Sequence, residues 1–92
     1  MIYMLCRNRV ADFSRWIAIF ASHEAAHREA GLKLVGTWRE IENPNNIFFT
    51  FEVASMDRAR KFISDPEARK AAEGSGVIDG EYHFVEDTGG YR

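Results

Sequence analysis

The chain has 92 residues, and its 12 Lys and Arg against 14 Asp and Glu give a formal net charge of −2. This length predicts one small domain, and the acidic balance excludes the strongly basic surface that duplex nucleic acid requires. The single cysteine excludes an internal disulfide, and the lack of a membrane-spanning run or a signal peptide predicts a cytoplasmic protein without membrane partners.

The first half of the chain predicts a strand, a long helix and a second strand. The short, mixed apolar run from Ile2 to Arg9 is typical of a strand. Asp12 is a suitable N-cap for a helix over residues 13–30, and Gly31 is suited to end it. An extended pattern follows over residues 32–42. At helical spacing, one side of the predicted helix collects Phe13, Trp16, Ile17, Phe20, Glu24 and His27.

The second half predicts a hairpin partner, a second helix and a last strand. Residues 43–46, Asn-Pro-Asn-Asn, form a dense turn signal before an apolar strand over residues 47–53. Ser55 can cap the second helix, which restarts at Asp65-Pro66 and stops near Gly74. A final strand is expected over residues 81–86, so the predicted domain spans 1–87 and is followed by a tail over 88–92. The order β-α-β-β-α-β predicts an α+β, ferredoxin-like fold with a four-stranded antiparallel sheet.

Large apolar side chains are expected on both faces of this sheet. Phe48 and Phe49 are neighbours in one strand, so they point to opposite faces. Helices on one side cover only one of these faces, and a second exposed apolar face would exceed the patch size that monomers tolerate. The sequence therefore predicts a homodimer that forms through the sheet face.

The residues also resemble a known family over about positions 1–86. Similar features are Asp12 and Trp16 early in the first helix, His23 and Arg28 before Gly31-Leu32, Arg39 before Asn43-Pro44, Phe51-Glu52 leading into Ala59-Arg60-Lys61-Phe62, and Ser64-Asp65-Pro66-Glu67. The family is the dimeric α/β-barrel superfamily of antibiotic-biosynthesis-monooxygenase-like proteins, of which this chain resembles an uncharacterised branch. The resemblance implies two protomers with facing sheets, and in each protomer a cavity between the helices and the sheet.

The segment His23-Glu24-Ala25-Ala26-His27 matches the zinc-protease pattern H-E-x-x-H. A zinc protease needs a third protein ligand, and no acidic residue or histidine elsewhere has a recognised spacing for it. We therefore expect neither a protease nor a metal site here. Two interpretations remain open: a solvated pair of histidines near a helix C-terminus, or the polar rim of a small-molecule pocket.

The pocket interpretation predicts an enzyme without a bound cofactor, of the monooxygenase or isomerase type, acting on a small aromatic or polyketide-like molecule in a cleft between the first helix and the sheet. His23 or His27 would carry a proton, and Arg39 would stabilise an anion or enolate. The predicted substrate-binding residues are Trp16, Phe20, Trp38 and, if its strand parity allows, His83. Plain core packing is the alternative for the aromatic residues, and a non-catalytic ligand-binding or stress-associated dimer is the alternative function.

Three other features are interpreted as structural. Asn8 resembles an asparagine of haem-degrading relatives, but the histidine expected with it on the second helix is missing. Cys6 is expected to be a small buried hydrophobe. The basic residues of the second helix are balanced by acidic neighbours, which predicts a solvated face; they are Arg58, Arg60, Lys61, Arg69 and Lys70.

Overall fold

The computed structural model describes residues 1–90, which form four strands and four helices. In chain order they are β1 (Ile2–Val10), α1 (Phe13–Ser22), α2 (Glu24–Glu29), β2 (Leu32–Arg39), β3 (Asn46–Val53), α3 (Met56–Ile63), α4 (Pro66–Gly74) and β4 (Val77–Glu86). The predicted β-α-β-β-α-β order is confirmed. The second helix restarts at Pro66 as expected, whereas the division of the first helix into α1 and α2 was not predicted. The predicted tail follows β4, and its last two positions, 91 and 92, lie outside the described residues.

Three helices begin at the predicted caps. The Asp12 carboxylate accepts a hydrogen bond from the Ser14 amide at 2.9 Å, and the Ser55 hydroxyl accepts one from the Arg58 amide at 3.3 Å. The Asp65 carboxylate accepts from the Glu67 amide at 3.0 Å, ahead of Pro66 in the first turn of α4. These bonds satisfy N–H groups that have no partner within the helix, which is why the helices start at these residues.

The four strands form one antiparallel sheet in the order β2-β3-β1-β4. Across the sheet, Met4 on β1 lies opposite Phe51 on β3 and Phe84 on β4. Opposed residues share a face, so this register decides which side chains meet. The arrangement is the ferredoxin-like fold. No helix within residues 1–90 is long and apolar enough to cross a membrane.

One face of the sheet is covered by the helices, and we call it the helix-covered face. Alternate residues of the two central strands are buried there because successive side chains of a strand point to opposite sides. The buried set comprises Met4, Cys6 and Val10 of β1 and Ile47, Phe49, Phe51 and Val53 of β3. Trp16 of α1 and Ala59 of α3 are buried against it and complete the core.

The opposite face, here called the open face, carries no helix in the described residues. Its apolar part contains Leu5, Phe48 and Trp38, whose exposed fractions are 42%, 41% and 53%. Its charged part lies along β1 and β4, where Arg7 is opposite Glu81 and Arg9 is opposite Asp79. The sheet thus has two apolar regions on opposite sides, and the helices of this chain cover one of them.

Candidate functional site

A cleft of about 1380 Å³ opens between the helices and the helix-covered face. Met4 and Cys6 of β1 and Phe49 and Phe51 of β3 belong to its lining on the sheet side. Residues of all four helices complete it, among them Trp16, Phe20, His23, His27, Arg58, Lys61 and Phe62. The cleft therefore combines an apolar, aromatic interior with several polar side chains, as small-molecule sites do.

The aromatic residues that line the cleft extend from the protein core to the surface of the cleft. Trp16 is 2% exposed and stacks on Phe20, with ring centroids 4.6 Å apart, and it lies 5.5 Å from Phe49. Phe20 is half-buried and meets Phe49 edge to face at 5.1 Å. Trp16 accordingly serves mainly as a core residue, whereas Phe20 presents more of its surface to the cleft.

His27 is half-buried among three aromatic rings. Its ring centroid lies 5.0 Å from that of Phe20, 5.1 Å from that of Phe51 and 5.7 Å from that of Phe62. Burial lowers the pKa of His27 below its ordinary value, and nearby His23 lowers it further, while Glu24 opposes the shift. At neutral pH His27 is therefore the uncharged imidazole, which is the form that accepts a proton.

His23 lies where the predicted long helix divides. Its Nδ1–H donates to the Ile19 carbonyl at 2.8 Å, so the lone pair of the neutral ring is on Nε2. The Ser22 hydroxyl also donates to the Ile19 carbonyl, at 2.6 Å. With that carbonyl occupied, the backbone N–H of His23 bonds to Phe20 at 3.1 Å instead. The predicted continuous helix over 13–30 is thus wrong at this point, because side chains compete for a carbonyl of the helix.

The two histidines of the H-E-x-x-H segment remain one turn apart, since the His27 amide bonds to the His23 carbonyl at 3.0 Å. Within residues 1–90, no group of three or more His, Cys, Asp or Glu side chains is placed to hold a metal ion. The expectation that this segment is not a zinc site stays a prediction. Both histidines belong to the lining of the same cleft.

Two residues predicted for the pocket lie instead on the open face. Trp38 is opposite Phe48, because a β-bulge between Leu34 and Gly36 reverses the parity of β2 before Trp38 is reached. His83 is opposite Leu5, and its Nε2 lies 2.8 Å from an oxygen of the Glu81 carboxylate. Within one protomer, the sheet separates both side chains from the cleft.

Arg39 is also outside the cleft lining. Its Nε–H donates to the Pro44 carbonyl at 2.9 Å, and its guanidinium carbon lies 4.1 Å above the centre of the Phe13 ring. This cation–π contact fixes Arg39 at the N-terminal end of α1. The cations that do belong to the cleft lining are on α3 and α4, and all of them are exposed, as the sequence predicted for the basic residues of this segment; they are Arg58, Lys61, Arg69 and Lys70.

Asn8 is a further cleft residue that sequence reasoning set aside. It is half-buried and shares the parity of Met4 and Cys6, which places it on the helix-covered face. Gly80 lies opposite, and a Cβ there would stand 2.5 Å from the Asn8 side-chain oxygen. Glycine therefore leaves the space that the Asn8 amide occupies. The period of two along β1 was the signal that could have assigned Asn8 to the cleft.

Comparisons with known proteins give no matching family model and no similar curated protein. Solved structures do match. A Bordetella bronchiseptica protein assigned as an antibiotic biosynthesis monooxygenase has a TM-score of 0.75 at 16% identity, covering 95% of this chain and 96% of that one. SnoaB, a cofactor-independent oxygenase from Streptomyces nogalater, has a TM-score of 0.72 at 16% identity, with 95% and 92% covered. A NIPSNAP domain protein from Burkholderia xenovorans has a TM-score of 0.67 at 12% identity, with 96% and 95% covered.

The chain has the fold of the antibiotic-biosynthesis-monooxygenase-like proteins. The resemblance that the sequence indicated is confirmed at this level, and the NIPSNAP proteins share the same ferredoxin-like architecture. Identities of 12–16% show similarity of fold, and a fold of this kind carries different activities in different proteins. The activity of this chain is therefore argued from its own cleft.

Proposed function

We propose that this protein is a cofactor-independent enzyme of the monooxygenase or isomerase type, acting on a small aromatic or polyketide-like molecule in the cleft. The observation that carries the proposal is His27, an uncharged, half-buried imidazole among three aromatic rings at the surface of the cleft. A base with a lowered pKa in an apolar site is suited to proton abstraction from a carbon or hydroxyl acid.

The proposed chemistry begins with transfer of a substrate proton to His27. The aromatic interior, with Phe20 and Phe51, would hold a planar substrate by stacking and exclude water. In an oxygenase, the resulting carbanion would react with O2, and a CH2 group would become a carbonyl with release of water, so the substrate supplies all four electrons. In an isomerase, the proton would return to another carbon of the same molecule. His23 and Asn8 are placed to contact polar substituents of such a substrate.

We further propose that the open face binds a second copy of this chain. Leu5, Phe48 and Trp38 form its exposed apolar part, and covering this region would remove large side chains from water. The fold leaves this side free for such packing, since within residues 1–90 the helices lie against the other side of the sheet. Trp38 and His83 would then contribute to the contact between protomers rather than to the cleft.

The alternative function is a non-catalytic dimer that binds a small molecule. It is favoured by the deep burial of Trp16, because much of the aromatic wall packs within the core and less of it is free for a ligand. The two functions differ in one measurable respect. A binding protein would hold an aromatic probe without consuming oxygen or exchanging its acidic proton, whereas the proposed enzyme would do one or the other.

The test replaces His27 by Ala and measures oxygen consumption and proton exchange with a panel of hydroxylated naphthalenes and anthrones. Loss of a general base predicts a rate lower by about 10²–10⁴-fold, with little change in the free energy of unfolding. Arg28→Gln is the matched control, because Arg28 is exposed on the same helix and its ion pair is with Glu24, one turn earlier on that helix. If His27→Ala instead unfolds easily and keeps its activity, His27 is a core residue and the assignment fails.

A further inference from the structure

Helix α4 borders the cleft without joining the core. The core takes Trp16 from α1 and Ala59 from α3, whereas within residues 1–90 no side chain of α4 is buried. The half-buried residues of α4 are three alanines that also line the cleft; they are Ala68, Ala71 and Ala72. Three alanines bury little apolar surface, so the packing of α4 against the rest of the fold contributes little to its stability.

The part of the sheet next to α4 is incompletely covered. Tyr82 of β4 is opposite Cys6, which places both side chains on the helix-covered face, and both line the cleft. Cys6 is 7% exposed, whereas Tyr82 is 50% exposed, although α4 contacts β4. An exposed ring on the face that the helices cover means that α4 stands away from this strip of the sheet. There is therefore space between them into which α4 can move.

The C-terminal end of α4 is held to α1 by a side chain. Arg15 of α1 donates a hydrogen bond from its guanidinium to the Gly74 carbonyl at 2.7 Å. The turn that follows is fixed separately, since the Ala11 amide donates to the Gly76 carbonyl at 2.9 Å and Ser75 is buried. Arg15 is therefore placed to hold α4 against α1, beside a turn that stays in position.

We propose that α4 is a lid on the cleft, which Arg15 holds against α1 and which opens while the strands and α1 stay folded. This inference rests on the proposed function, because it concerns how a small molecule enters the proposed binding cleft. An element that buries little apolar surface opens at a lower free energy than the core does, and the lids of binding sites have this property. Movement of α4 towards Tyr82 would enclose the bound molecule and exclude water.

The experiment measures how fast Cys6, the one cysteine of the chain, reacts with dithionitrobenzoate. Burial raises the pKa of the Cys6 thiol to about 12, so the thiol reacts slowly until an opening exposes it. Arg15→Gln removes the bond to the Gly74 carbonyl and should speed the reaction about fivefold. Gly74→Ala should slow it about threefold, because alanine favours the helix and a Cβ at Gly74 meets nothing within 4 Å.

Control variants separate opening of α4 from unfolding of the whole chain. Val53 is buried outside the cleft lining, so Val53→Ala lowers the stability of the whole fold and should leave the Cys6 rate unchanged. Arg60→Gln removes an exposed cation of α3 outside the lining and should also have no effect. A Cys6 rate that rises as much with Val53→Ala as with Arg15→Gln would show that Cys6 reacts by global unfolding, and the lid would be wrong.

Hydrogen exchange gives an independent measurement on the parent protein. The amides of α4 should exchange at least about tenfold faster than those of α1 and β1, with little dependence on low concentrations of urea. Exchange of α4 at the same rate as β1 would make α4 part of the cooperative core and would overturn the proposal.

A ligand distinguishes the lid from the proposed function. Saturating 1-naphthol should slow the reaction of Cys6 at least about tenfold, because a bound molecule stabilises the closed protein. If the variants behave as expected and 1-naphthol has no effect, the lid stands and the proposed substrate class fails. If 1-naphthol protects Cys6 while α4 exchanges together with β1, the lid fails and the proposed cleft stands.

Discussion

Both faces of the sheet carry large apolar side chains, but the helices bury one face and leave the other exposed, as two adjacent residues show. Phe49 points to the helix-covered face and is 7% exposed, whereas Phe48 points to the open face and is 41% exposed. Phe49 contacts Trp16, Phe20 and Phe51. Phe48 lies between Trp38 and Arg7 in the register of the sheet. Phenylalanine therefore belongs to the core at position 49 and, in our proposal, to an interface between two copies at position 48.

The charged part of the open face is a cluster of two arginines and two carboxylates. Arg7 donates to Glu81 at 3.0 Å and to Asn46 at 2.7 Å, and Asp79 binds both Arg7 and Arg9. Hydrogen bonds from His83 and Arg7 lower the pKa of Glu81, and a hydrogen bond from Arg9 is the main cause of the lowered pKa of Asp79. Two arginines against two carboxylates balance, so a second copy could cover this region without burying a net charge.

The largest expected effect comes from a charge at Phe48. The proposed dimer should sediment at about 21 kDa, twice the 10.5 kDa of one chain. Phe48→Asp would place a carboxylate from each copy in the interface, where the neighbouring Arg7 already pairs with Asp79 and Glu81. We therefore expect the dissociation constant of the dimer to rise at least about a hundredfold. Sedimentation velocity at micromolar concentration measures this.

The control is Ile41→Asp, because Ile41 is 95% exposed and lies in the loop after β2, away from the sheet. This variant should remain dimeric. A parent protein that sediments as a monomer at these concentrations would rule out the proposed interface and leave the exposed apolar part of the open face unexplained.

The second-largest expected effect is a loss of stability, and it tests the helix-covered face. Phe49→Ala should lower the free energy of unfolding by about 3–5 kcal/mol, because it removes a buried ring and leaves a cavity beside Trp16. Urea denaturation should show the same loss at every protein concentration. Phe48→Ala should instead act mainly through association, so its effect should diminish as the protein is diluted. Equal, concentration-independent losses for the two variants would show that both rings are core residues.

Local sequence patterns predicted the order of the elements well, but they could not predict which face each site residue would occupy. The caps Asp12, Ser55 and Asp65 act over two or three residues, so sequence was sufficient for them. The face that Trp38 occupies is set by a single extra residue in β2, because the bulge moves every later side chain of the strand to the other face. Hydrophobic alternation carries no sign of such an insertion when both faces are apolar.

The sequence predicted only the part of the candidate site that lies on one helix, because local patterns carry no information about distant elements. Helical periodicity brought Phe20, His23 and His27 to one side of the first helix, and all three line the cleft. Periodicity could not indicate what lies across from them, since Phe51 of β3 and Phe62 of α3 approach His27 only through tertiary packing. Such contacts between distant elements are visible only when the fold is known.

The smallest expected effect concerns the pH dependence of stability, and it distinguishes a histidine on the helix-covered side from one in water. The folded state lowers the pKa of His27 mainly by burial, so between the folded and unfolded pKa values the unfolded chain binds more protons. The stabilising contribution of neutral His27 is therefore complete above the unfolded pKa of about 6.5. It decreases as the pH falls from that value towards the folded pKa.

Replacing His27 by Phe should remove this part of the pH dependence, because phenylalanine has no proton to bind and keeps the contacts with Phe20, Phe51 and Phe62. The measurement is urea denaturation of both proteins from pH 7.5 downwards. The difference between their unfolding free energies should be constant above about pH 6.5 and should change in favour of His27→Phe below it. Asp79 and Glu81 lose their stabilising pairs at lower pH, and they do so equally in both proteins, so they cancel in the comparison. A difference that stays constant across the whole range would mean that His27 is solvated in both states, and the imidazole would then lack the lowered pKa on which the proposed base depends.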